Sequence, residues 1–210
     1  MPGNLASSPV SAAVLAGGQS RRMGLDKATL ILPGESLALL DRVLATLRSF
    51  SGDILVVGGP VRSSLPPDIR QIPDEPGAAG PLRGIAAALR AARHDRCLVV
   101  ACDQPFLSLD LIRWLATLDP GADAVVPLTP GPGDDASQRY QPLHAIYARR
   151  CLPMTLELLA TTGRASALLE RVATRTVAAE DIRRFDPDLR SFVNLNTPED
   201  VSRVIADRSA

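Results

Sequence analysis

Lys27 closes a loop whose residue types suit it to hold a polyphosphate. A short apolar run, residues 12–15, empties into Gly17-Gly18-Gln19-Ser20-Arg21-Arg22-Met23-Gly24-Leu25-Asp26-Lys27. Glycines let backbone N–H groups approach an anion with no Cβ in the way. The lysine and arginines can neutralise charge that develops on phosphate oxygens. Two common phosphate loops are excluded by spelling. A Walker loop closes on Gly-Lys-Ser/Thr, and the chain contains no Gly-Lys. A dinucleotide fingerprint runs Gly-x-Gly-x-x-Gly, and Gly17-Gly18-Gln19 breaks it. The competing reading is a glycine-rich surface turn with an incidental basic cluster.

A second chemical group follows a second apolar run. Residues 97–101 are continuously apolar and lead into Cys102-Asp103-Gln104-Pro105-Phe106. A strand of that kind is expected in the middle of a parallel sheet, covered on both faces. In open α/β sheets ligands sit beyond the carboxyl ends of strands. Gly17, Asp103 and Gly58, which ends a strand at 53–57, are therefore expected to share one crevice. A carboxylate at a rigid strand end is a natural ligand for Mg²⁺, a hard cation that takes oxygen donors and phosphate together. Asp103 is the metal candidate and Lys27 the phosphate candidate. Their bland alternatives are a turn-forming aspartate and a solvated lysine.

These residues need a frame to hold them. Strand-like runs at 12–15, 53–57, 71–72, 97–101, 123–126, 144–147 and 175–177 alternate with helical patterns at 36–50, 81–92, 108–118, 153–160 and 165–172. Leu37, Leu40, Val43, Leu44 and Leu47 would form the buried stripe of the first helix. Leu82, Ile85, Ala86 and Leu89 would form that of the second. Thr197 caps a last helix, with Pro198 at its first position and acids in its first turn. The alternation predicts one three-layer α/β/α sandwich of Rossmann-like type with a mostly parallel sheet. Residues 1–10 read as a flexible tail and residues 11–210 as the domain. Residues 129–140, rich in Gly, Pro and Asp, read as a mobile loop over the site.

Composition removes several function classes. The 210 residues are 46% hydrophobic and 22% charged, with a net charge of +0. No global field draws the chain to nucleic acid or to an anionic membrane. No apolar run is long enough to span a bilayer, and the first residues do not read as a signal peptide. Cys97, Cys102 and Cys151 are odd in number and lack metal-type spacing, which fits reduced thiols in a cytoplasm.

The loop from Leu15 to Lys27 resembles the opening signature of sugar-nucleotide and cofactor nucleotidylyltransferases. Its version, Gly17-Gly18 followed by Arg21-Arg22-Met23-Gly24-Leu25-Asp26-Lys27, is most similar to the molybdenum cofactor guanylyltransferases. Asp103 in Cys-Asp-x-Pro-Phe matches their magnesium-binding segment. Asp74, ahead of Gly80-Pro81-Leu82-Arg83-Gly84, matches their acidic turn before a helix start. Asn194 and Asn196 match their Asn-x-Asn-Thr-Pro segment, and 141–147 a stretch that lines the acceptor pocket. The segments occur in family order over almost the whole chain.

The resemblance implies the nucleotide-diphospho-sugar transferase fold. It implies transfer of GMP from GTP to the phosphate of molybdenum-bearing molybdopterin, with pyrophosphate released and Mg²⁺ as cofactor. Leu15, Ala16, Gly17 and Gly18 would give backbone contacts to GTP, with Lys27, Gly58, Asp74 and Asp103. Lys27, Arg22 and Asp103 would be catalytic. Asp74 would accept from guanine N–H groups or from the ribose. Asn194 and Asn196, two apart and on one side of a strand, would serve the second substrate or the metal, unless Asn196 only shapes a turn. His144 reads as a core histidine. Partners would be GTP, molybdopterin and proteins that deliver or accept the cofactor. The alternatives are a cytidylyltransferase on the same pterin, a sugar-phosphate nucleotidylyltransferase, and a silent nucleotide-binding regulator.

Overall fold

The structure, a computed structural model, describes residues 9–17, 27–131 and 138–206. Strand β1 (Val10–Leu15) is followed by α1 (Leu39–Arg48), β2 (Ile54–Val57), β3 (Ile69–Ile72), α2 (Pro81–Ala91) and β4 (Arg96–Ala101). The second half runs α3 (Leu109–Thr117), β5 (Ala124–Pro130), β6 (Gln138–Tyr140), β7 (His144–Ala148) and α4 (Leu152–Leu159). It closes with α5 (Ala165–Leu169), β8 (Thr174–Val177), α6 (Ala179–Ile182) and α7 (Pro198–Ala206).

The strands form one eight-stranded sheet in the order β3-β2-β1-β4-β7-β5-β6, with β8 also beside β5. Pairs β3–β2, β2–β1, β1–β4 and β5–β8 are parallel; β7 runs antiparallel to both β4 and β5. The mostly parallel three-layer sandwich is as the sequence predicts. Strands β1 and β4 explain why. Ala12, Val14, Leu98 and Val100 pack against α1 and α3 on one face, while Ala13, Leu15, Cys97 and Val99 pack against α2 and α4 on the other. A strand buried on both sides has no polar face to alternate, so it reads as a continuous apolar run. Each fully buried leucine or isoleucine in these layers contributes about 1.5–3 kcal/mol.

Two polar anchors fix the bottom of the sheet. Arg96 is buried, and its guanidinium donates to the carbonyls of Ala116 (2.7 Å) and Leu118 (3.1 Å), the free acceptors at the end of α3. Asp53 is only 3% exposed and accepts from Ser11 Oγ (2.7 Å), Arg70 Nη2 (2.6 Å) and the Arg93 N–H (2.9 Å). Burial alone would push its carboxyl up; the Ser11 and Arg93 hydrogen bonds and the Arg70 guanidinium outweigh that and hold it below the ordinary value of 3.8. A depressed carboxyl contributes stability above its unfolded pKa and loses it as pH falls through the folded one. Asp53→Asn is therefore expected to lower Tm at pH 7, with the gap to the parent closing below pH 3.8. Thermal melts of both proteins across that range check it.

Several element boundaries differ from the sequence expectation. Val10, assigned to the tail, pairs with Arg96 and is buried in β1. The first helix begins at Leu39, not at 36. Ala38 is extended and bridged to Ile31, so Leu37 is 45% exposed and Leu39 takes its place in the core. The expected loop at 129–140 is bounded by strands: Leu128 pairs with Tyr140, Thr129 with Arg139 and Pro130 with Gln138. Residues 132–137 lie outside the described residues.

Candidate active site

The carboxyl ends of β1, β2 and β4 open onto one cavity of about 780 Å³. Leu15, Ala16, Gly17, Lys27, Asp74 and Asp103 line it, with Asn196 from the segment before α7. The crossover of a parallel sheet leaves such a crevice at its strand ends.

On one side stand the charged groups. Lys27, at the start of a single 3₁₀ turn, donates from Nζ to Asn196 Oδ1 at 2.7 Å and lies 3.8 Å from Asp103 Oδ2. The Leu195 N–H donates to the Asp103 carbonyl at 2.9 Å, which ties the asparagine segment to the end of β4. Cys102 N–H donates in turn to the Leu15 carbonyl at 3.1 Å. Burial pushes the Asp103 carboxyl above the ordinary 3.8, against the pull of Lys27. Among the described residues no group of three His, Cys, Asp or Glu side chains converges. A single carboxylate suits Mg²⁺, which keeps waters and shares phosphate oxygens, better than an ion held wholly by protein.

The other side is built by glycines around Asp74. A Cβ at Gly17 would stand 2.9 Å from Asp74 Oδ2 and 3.3 Å from the Gly58 Cα. Gly58 has φ +71, and a Cβ there would stand 2.9 Å from the same carboxylate oxygen and 3.0 Å from the Gly17 Cα. Gly58 thus supports the site from beneath, while the adjacent Gly59 lines the cavity. Gly58→Ala combines a left-handed backbone with a contact against Gly17. It is expected to cost about 1–3 kcal/mol, read in urea unfolding, and to weaken nucleotide binding by displacing Asp74.

Helix α2 begins where Gly80, at φ +145, meets Gly163; a Cβ at Gly80 would run into the Gly163 carbonyl oxygen. Pro81 then occupies the first helical position, where its missing N–H is no loss. That turn carries Pro81, Arg83 and Gly84 into the cavity wall.

Of the sequence candidates, Leu15, Ala16, Gly17, Lys27, Asp74, Asp103 and Asn196 meet in this one space. Gly18 and Arg22, with Arg21, lie outside the described residues. For Asn194 the expected strand is corrected: residues 193–196 are not one, so strand alternation does not put the two asparagines on one side. Asn194 donates to the Phe192 carbonyl at 3.3 Å and lines a separate hollow with Phe106, Arg190 and Asp200. Thr197 does cap α7: the Asp200 N–H donates to Thr197 Oγ1 at 3.2 Å, and Asp200 Oδ2 accepts from the Thr197 N–H at 2.9 Å. From the stretch at 141–147 only Leu143 reaches the cavity. His144 is fully buried beside Phe192, and burial pushes its pKa down to about 4, so it stands as a neutral core residue. None of the described residues of 129–140 lines the cavity. Arg83 and Gly59 received no role from the sequence. Arg83 belongs to the Gly-Pro-Leu-x-Gly segment and stands three residues past Gly80, a position that faces the strand ends from the helix's first turn.

At one edge of its sheet the three-layer sandwich presents a glycine cradle, a lysine and a desolvated aspartate, an arrangement suited to nucleotidyl transfer, and the class follows from the family the chain matches. Residues 12–177 match the model of the MobA-like NTP transferase domain. The chain belongs to that family, among the molybdenum cofactor guanylyltransferases. It is 36% identical over 199 residues to the "Probable molybdenum cofactor guanylyltransferase" of Pelotomaculum thermopropionicum, covering 93% of each chain. It is 33% identical to the molybdenum cofactor guanylyltransferase of Desulfosudis oleivorans, covering 94% of this chain and 95% of that one. Among solved structures, the molybdopterin-guanine dinucleotide biosynthesis protein A of Archaeoglobus fulgidus superposes with a TM-score of 0.78. It shares 29% identity and covers 95% of this chain and 99% of its own. The 2-C-methyl-D-erythritol 4-phosphate cytidylyltransferase of Thermus thermophilus shares the fold, with a TM-score of 0.70 at 19% identity over 96% of this chain and 100% of its own. No described helix is long and apolar enough to cross a membrane, and all three cysteines are free.

Proposed function

We propose that the chain transfers GMP from GTP to the terminal phosphate of molybdopterin, forming the guanine dinucleotide cofactor. A phosphate oxygen of the pterin attacks the α-phosphorus of GTP. The bond from that phosphorus to the α–β bridging oxygen breaks, and pyrophosphate leaves with it. A phosphate is already anionic near neutral pH, so the nucleophile needs no strong general base. Positioning and charge neutralisation are then the main demands.

The observation that carries the reading is the convergence of Lys27, Asp103 and Asn196 at the ends of β1 and β4, facing the Asp74 cradle across one cavity. Backbone groups of Leu15, Ala16 and Gly17 hold the nucleotide against the strand ends. Lys27 stabilises charge on the leaving pyrophosphate, with Arg22 as its partner from the glycine loop. Asp103 would hold Mg²⁺, and the ion would supply Lewis-acid stabilisation of phosphate oxygens. Asn196 keeps the Lys27 ammonium on the phosphate side of Asp103. Asp74 accepts from the N1–H and N2–H₂ donors of guanine.

Calorimetry with GTP, CTP, UTP and ATP, with and without Mg²⁺, tests it. The reading expects tight binding of GTP alone, strengthened by the metal. Preference for CTP would move the chain to the cytidylyltransferase alternative.

A further inference from the structure

Arg83 shares the cavity wall with Asp74, its Nη2 3.6 Å from Asp74 Oδ2. Asp74 stands where the glycines leave room for it. A Cβ at Gly17 or Gly58 would stand 2.9 Å from its Oδ2, and one at Gly84 3.3 Å from its Oδ1. The Arg83 Nε is buried without a hydrogen-bond partner, and the 3.6 Å approach is longer than a hydrogen bond. The guanidinium thus stands beside the carboxylate with donors to spare.

We propose that Arg83 is a base-specificity residue, donating to the O6 edge of guanine while the adjacent Asp74 accepts from N1–H and N2–H₂. The inference rests on the reading of Asp74 as a base contact. A carboxylate alone cannot select guanine, because the amino groups of adenine and cytosine also offer it an N–H. Guanine differs in placing an acceptor, O6, directly beside a donor, N1–H. When both are bonded at ordinary lengths, their partners stand roughly 3–4 Å apart. The spacing of Arg83 and Asp74 matches that edge.

The same pair rejects adenine. Where guanine presents O6, adenine presents N6–H₂, which would face a guanidinium that has no acceptor and cannot deprotonate. Specificity then comes from one attraction and one repulsion at the same atom.

The test measures calorimetric Kd and pyrophosphate release with GTP, ITP and ATP for the parent, Arg83→Ala and Arg83→Lys. ITP keeps O6 and N1–H but lacks the 2-amino group, so it reports O6 apart from N2. Arg83→Ala is expected to weaken GTP and ITP by the same factor, roughly five- to 150-fold. ATP should be unchanged or improved, and Arg83→Lys should recover part of the GTP preference. An equal loss on all three nucleotides would overturn the proposal and assign Arg83 to the polyphosphate, the acceptor or the fold. An unchanged GTP-to-ATP ratio would overturn it too. A parent protein with no preference for GTP would instead remove the guanine reading itself, and the inference with it. Arg83 is more than a third exposed beside Asp74, so the pair adds little to stability and both variants should melt like the parent.

Discussion

Asp103→Asn should abolish nucleotidyl transfer while leaving the protein folded. The substitution removes the one carboxylate that, among the described residues, stands beside Lys27 in the cavity. An amide of the same shape binds Mg²⁺ poorly, and the charge on the transferring phosphates is left to Lys27 and the loop cations. The expected loss in kcat/KM is at least about 10³-fold, above the range for a single neutral donor. The fold should not suffer. Burial raises the Asp103 carboxyl, so its ionised form is an unfavourable element of the native state at neutral pH. A raised carboxyl pKa means the folded chain holds the proton more tightly than the unfolded one, and stability falls as pH rises past the unfolded value. Asp103→Asn is therefore expected to melt no lower than the parent at pH 7. A variant that melts much lower would make Asp103 a structural residue. One that turns over normally would end its assignment to the metal.

Lys27→Ala should cut kcat/KM by about 30- to 1,000-fold, the equivalent of roughly 2–4 kcal/mol of transition-state stabilisation. Its ammonium is held in place before any substrate arrives, at 2.7 Å from Asn196 and 3.8 Å from Asp103. A cation fixed in advance needs no reorganisation when charge moves onto the leaving pyrophosphate. The loss should therefore fall mainly on kcat. A rise in KM with kcat unchanged would show that Lys27 binds GTP equally well before and during the reaction. Initial rates of pyrophosphate release over a range of GTP concentrations separate the two.

The frame of this site was legible because its strands are buried on both faces. Runs such as Leu98-Val99-Val100 are as long as a strand and bounded by turn residues, and Gly17, Gly58 and Asp103 fall just past such runs. Their meeting at one edge follows from the parallel order of β2, β1 and β4. What the sequence misplaced depended on chain direction outside regular elements. Asn194 and Asn196 share a face only on a strand, and the chain from 193 to 196 is not one. Leu37 fits the helical period of Leu40 and Leu44, but the bridge from Ala38 to Ile31 holds it out of the helix. Glycine and proline around residue 130 conceal the short β5–β6 pairing, whose β6 residues face solvent and show no apolar pattern. Arg83 escaped because helical periodicity marks Leu82 and Ile85 as inward and says nothing about a polar residue in a first turn that overhangs a cavity.

One measurement bears directly on the central claim. The protein is incubated with Mg²⁺, molybdopterin and GTP labelled at the α-phosphate, and the products are separated and weighed by mass spectrometry. The account predicts label in a species that contains both pterin and guanine, with one pyrophosphate released for each one formed. Label reaching the pterin only when α-labelled CTP replaces GTP, in a species that contains pterin and cytosine, or GTP consumed with no label reaching the pterin, would contradict it.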